Sequence, residues 1–94
     1  MTQEEHYGLV ALSWRYAVLI GITSPDGIFS DEIVQADLKR WGHLVKTNMG
    51  GRPVFDDADA IGFMVTESGR SIEDCERVLA DEWALSEDEI ADSI

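Results

Sequence analysis

The stretch QEEHYGLVALSWRYAVLIGI, residues 3–22, decides the fold, because Tyr7, Val10, Trp14, Ala17 and Gly21 recur at helical spacing without a proline among them. Leu9, Leu12, Tyr16, Leu19 and Ile20 add apolar surface most of the way round. A helix of that kind is central, packed by others on several sides. Ser13 and Arg15 interrupt its apolar run, which falls short of the roughly 20 residues that span a bilayer. It reads as a buried helix. Ser24-Pro25-Asp26-Gly27 then closes it with turn chemistry, Pro25 presetting φ and Gly27 relieving the exit.

Working outward, Ser30 caps a second helix with Asp31 and Glu32 in its first turn, where the macrodipole favours negative charge. Val34, Leu38, Trp41 and Val45 form its stripe, and Lys39, Arg40, His43 and Lys46 crowd its last turns. Gly50-Gly51 and Pro53 make residues 48–53 the best hinge or linker within a single helical domain of residues 1–94. Asp56 or Asp57 caps a third helix carrying Ile61, Met64 and Val65 inward and ending near Gly69. Ser71 starts a fourth, with Asp74 approximating a capping box and Ile72, Cys75, Leu79 and Trp83 on one face. Ser86 and Glu89 box a short fifth helix bearing Ile90 and Ile94. No strand pattern or repeat is present, so the expectation is an all-α compact bundle of about five helices.

Size and composition set the class. The 94 residues hold one core, and an apolar fraction of 45% with Trp14, Trp41 and Trp83 marks a folding chain. Crowded carboxylates subtract from a stability that is typically only about 5–15 kcal/mol for a domain. Homodimerisation or a partner would supplement it. Cys75 is the only cysteine, which excludes an internal disulfide and a cysteine-based zinc site. The acidic start Met1-Thr2-Gln3-Glu4-Glu5 is unlike a basic targeting signal. A cytoplasmic protein is expected.

Residues 61–94, IGFMVTESGRSIEDCERVLADEWALSEDEIADSI, carry a family pattern. The apolar pair Met64-Val65 precedes Ser68-Gly69 at a turn, Ser71 opens the next helix, and Cys75 and Leu79 are small and large core positions. Ile90 follows eleven residues after Leu79. This segment resembles the UBA-like three-helix module, in the version found at the start of elongation factor Ts and the end of nascent-chain-associated complex subunits. The resemblance implies that the last three helices form a compact protein-binding module, with an apolar groove around Met64, Arg70 and Trp83. Ubiquitin-binding members carry a Met-Gly-aromatic loop where this chain has Ser68-Gly69-Arg70, so ubiquitin binding is not implied.

No residue pattern supports catalysis. Cys75 lies on an apolar stripe beside Glu73, Asp74 and Glu76, which raise a thiol pKa, so it reads as a core residue and not a nucleophile. His6 and His43 stand without a serine motif, a Gly-rich phosphate loop or an HExxH pair. Asp57-x-Asp59-x-Ile61-Gly62 imitates the opening of a calcium loop, but Ile61 supplies no ligand and Ser68 replaces the bidentate Glu. Neither an enzyme, nor a metal centre, nor a cofactor is expected.

What stands out is charge. The formal net charge is −12, above the magnitude of about 2–8 that keeps small domains soluble. Residues 71–94 hold nine carboxylates against Arg77 alone. Helical carboxylates three or four residues apart lie roughly 5–6 Å from one another, comparable with phosphates along one strand of a nucleic acid. Such a surface repels bare nucleic acid and anionic membrane and attracts a protein with a basic surface. The leading expectation is therefore a non-enzymatic inhibitor or nucleic-acid mimic of the phage or mobile-element type, acting on DNA- or RNA-handling enzymes such as restriction or CRISPR effectors. Glu73, Glu76, Asp81, Glu82, Asp88 and Asp92 are its expected contacts, with Trp83 as an apolar anchor. The alternative is a UBA-like interaction module within a larger complex.

Overall fold

A computed structural model describes residues 1–83. Those residues form four α-helices and no strand: α1 Gln3–Leu19, α2 Asp31–Trp41, α3 Asp57–Ser68 and α4 Ile72–Trp83, with a 3-10 turn at Gly42–Leu44 after α2. The expected fifth helix, with Ser86, Glu89, Ile90 and Ile94, lies outside the described residues.

As its all-round apolar surface requires, α1 packs against α2, α3 and α4. Leu9, Leu12, Tyr16, Leu19 and Ile20 meet Ala60, Phe63 and Met64 of α3 and Cys75, Val78 and Leu79 of α4 in one core. Thr2 caps α1 through a full capping box with Glu5, whose carboxyl is held below its ordinary value mainly by the Thr2 hydroxyl and backbone. At the other end Gly21 takes φ +87°, Gly21 N–H donates to the Val18 carbonyl and Ile22 N–H to that of Ala17. This is a Schellman motif. It closes the helix before the Pro25-Gly27 turn expected to do so. That turn is separate, with Ile28 N–H donating to the Pro25 carbonyl at 2.8 Å and both Asp26 and Gly27 at positive φ, the type I′ pattern.

The second helix ends at Trp41, short of the expected Lys46, because the chain tightens at Gly42 and Lys46 Nζ turns to Asp59 at 2.9 Å and Asp56 at 3.7 Å. Its expected stripe is only half realised, since Leu38 and Val45 are exposed. The single buried residue of α2 is Asp37, 5% exposed. Residues 48–53 fold back on themselves. Thr47 bridges Pro53, Asn48 N–H donates to the Arg52 carbonyl, and the Asn48 side chain accepts from Gly50 and Arg52 N–H.

Asp56 caps α3, and Gly69 ends it in the left-handed region at φ +72°, where a side chain is strained. Ser71 Oγ accepts from Asp74 N–H at the start of α4, while the Asp74 carboxylate pairs with Arg70 instead of completing the box. Ile72 is 57% exposed and Val78 takes its expected place in the core.

Candidate functional site

Burial of Cys75, Val78 and Leu79 fixes the rotation of α4, and helical periodicity then aims Glu73, Glu76, Arg77, Ala80 and Asp81 away from the core. Glu73, Glu76 and Asp81 are exposed and make no ion pair among the described residues. Elsewhere six carboxylates are neutralised, whereas Glu4, Asp26, Asp31, Glu32 and Asp57, exposed like the α4 acids, also make no ion pair among the described residues. Arg15 engages Asp37 and Glu67, Arg40 engages Glu67, Lys46 engages Asp56 and Asp59, and Arg70 engages Glu5 and Asp74. Four cations are thus spent on six carboxylates, and none of those six belongs to the expected contact set.

Glu82 departs from that set's geometry. It points toward α1, where Trp14 Nε1–H donates to its Oε1 at 2.8 Å. Trp83 packs against Trp14 with ring centroids 4.6 Å apart and against Phe55 at 5.5 Å, so it is half-buried at the edge of the core. Its Nε1 is buried with no acceptor among the described residues. Asp88 and Asp92 lie outside the described residues. Of the residues expected to line an apolar groove, Met64 is wholly buried, Arg70 is held by Glu5 and Asp74, and Trp83 is half-buried.

Two features escaped the sequence. One is a polar network under α2: Arg15 Nη2 and Nε donate to Asp37 at 2.6 and 3.1 Å, while Glu67 accepts from Arg15, Arg40 and Trp41 Nε1. The guanidinium of Arg15 also lies 5.6 Å from the Phe63 ring centroid, and its hydrogen bond to Asp37 raises an already high pKa. The signal was present, as Arg15 is the one charge inside an apolar run. The other is a cleft of about 240 Å³ beside Trp14, lined by Ala11, Val18, Pro25, Asp26, Ile28 and Phe29 among others.

Cys75 is wholly buried, and burial pushes its thiol up, against nucleophilic use. Asp56 and Asp59 serve α3 capping and Lys46, and no group of three or more His, Cys, Asp or Glu among the described residues is arranged to hold a metal. No described helix is long and apolar enough to cross a membrane.

The described residues form an acidic all-helical fold in which the outer face of α4 presents Glu73, Glu76 and Asp81, with Arg77 among them and no ion pair to them among the described residues. No protein-family model, curated protein or solved structure matches the chain.

Proposed function

We propose that this protein is a non-enzymatic cytoplasmic binding protein that docks the outer face of α4 on the basic surface of a DNA- or RNA-handling protein, as an inhibitor or nucleic-acid mimic. The observation that supports it is clustering: Glu73, Glu76 and Asp81 lie exposed on one face of α4 and unpaired among the described residues, with Arg77 the one cation that α4 places among them. Asp88 and Asp92, outside the described residues, belong to the same proposed contact set. Glu82 contributes from the edge, tied to Trp14.

Capture from a host lysate, eluted in a salt gradient, tests the proposal. A nucleic-acid enzyme should elute late, be displaced by DNA or RNA, and no longer be retained by the triple variant Glu73→Gln, Glu76→Gln, Asp81→Asn. Retention that is indifferent to salt and to the triple variant would overturn it.

A further inference from the structure

The cleft beside Trp14 is a largely apolar depression on the described surface. Ala11, Trp14 and Val18 recur along α1 at spacings of three and four, so they share one face, and Tyr7, 60% exposed, continues that face toward the N-terminus. From Tyr7 to Val18 this strip runs about 16 Å, three turns of helix. Its far wall is the loop after α1, where Ile28 stands 75% exposed. At about 240 Å³ the cleft falls below the roughly 300–1,000 Å³ of small-molecule sites, and suits one or two large side chains of a partner. Two carboxylates lie at or next to its wall. Asp26 lines it, and Glu82 is fastened to the Trp14 indole that forms part of its wall.

We infer that this cleft receives a basic amphipathic helix of a protein partner, its apolar anchors seated against Trp14, Val18 and Ile28 and its Lys or Arg residues meeting Asp26 and Glu82, an assignment that rests on the acidic docking face proposed above. Helix-in-groove recognition places anchors at i, i+4 and i+7, the spacing that the α1 strip itself offers. The charge of the occupant follows from those two carboxylates and from the net charge of −12, which disfavours an acidic or neutral segment. Trp14 also packs against Trp83, with ring centroids 4.6 Å apart, so the cleft borders the end of α4.

The test uses the full chain with a Leu/Lys peptide of about 18 residues whose leucines fall at i, i+4, i+7 and i+11, against a scrambled peptide of the same composition. Methyl resonances of Val18 and Ile28 should shift with the striped peptide, and Ile28→Asp should weaken binding about tenfold or more with unchanged thermal stability. Equal binding of the scrambled peptide, with shifts confined to α4, overturns the cleft and leaves the acidic face standing. Striped binding that survives neutralising Glu73, Glu76 and Asp81 supports the cleft and removes α4 from the interface. Failure of the striped peptide to bind overturns the cleft. So does a shift of the Val18 and Ile28 methyls caused by Ile90→Asp with Ile94→Asp before any peptide is added, since the chain's own residues 84–94 would then be the occupant.

Discussion

Tyr16 sits at 0% exposure where α1 meets the start of α3, its hydroxyl donating to the Asp56 carbonyl and accepting from Asp56 N–H, both at 3.2 Å. It holds the capping residue of α3 against the central helix, with Phe55 edge-on to its ring at 5.1 Å. Tyr16→Phe keeps the packing and strands a backbone donor, so it should cost about 1 kcal/mol, or roughly 4–8 °C in Tm. Burial raises the phenol above its ordinary value near 10. From there upward the folded state binds more protons than the unfolded one, and wild-type stability falls as pH rises. The advantage of wild type over Tyr16→Phe should therefore be constant below about pH 10 and shrink above it. Paired denaturation curves between neutral and alkaline pH decide this, and a gap that does not narrow refutes it. Cys75, buried and raised likewise, should react with thiol reagents only as fast as the protein opens.

At the scale of elements, α2 differs from the others in what attaches it. The helices α1, α3 and α4 share an apolar core, whereas α2 buries Asp37 alone and leans on Arg15, Glu67 and the half-buried Trp41. Asp37→Asn removes the nearer of the two carboxylates paired with Arg15 on a largely covered site and leaves Glu67 at 3.4 Å. A cost of about 2 kcal/mol is expected, below the range for fully buried pairs because Arg15 keeps 25% exposure. Hydrogen exchange should quicken through α2 while α1, α3 and α4 keep their protection; uniform quickening would show that α2 is not separately anchored. This helix is also where the sequence misled. Its stripe of Val34, Leu38, Trp41 and Val45 implied an apolar docking face, but Leu38 and Val45 are exposed, Trp41 packs on Phe63 at 5.3 Å, and the added pairing of Asp37 with Arg15 spans 22 residues that no periodicity links. Local signals fared better. Ser30, Asp56, Gly69 and Ser71 cap or close the helices they were expected to, because each acts on backbone groups within a few residues. Thr2 with Glu5 is a capping pattern equally local in the sequence. Val78 displaced Ile72 because core burial follows the contacts of α1 and α3, which the sequence of α4 alone does not contain. For the candidate site, the exposure of Glu73, Glu76 and Asp81 followed from the helical period, while the engagement of Glu82 by Trp14, 68 residues away, did not.

For the whole molecule, the question is whether its negative charge stabilises anything. Seven ion pairs tie the described residues together, yet exposed pairs contribute only about 0–1 kcal/mol each, and the net charge of −12 repels itself throughout. Salt shortens the Debye length from about 10 Å at 0.1 M to about 3 Å at 1 M, so it screens the dispersed repulsion more than contacts at 2.6–3.4 Å. Added NaCl should therefore raise Tm. The triple variant Glu73→Gln, Glu76→Gln, Asp81→Asn removes three charges that make no described ion pair, and should be as stable as wild type or more so at low salt, with a smaller gain from added salt. Glu67→Gln, which removes an acceptor shared by Arg15, Arg40 and Trp41, should instead lower Tm. Thermal melts of the two variants across a salt series separate carboxylates that hold the fold together from those that only repel. A triple variant that melts well below wild type would mean that α4 needs those charges for its own fold, and the docking face would lose its physical basis.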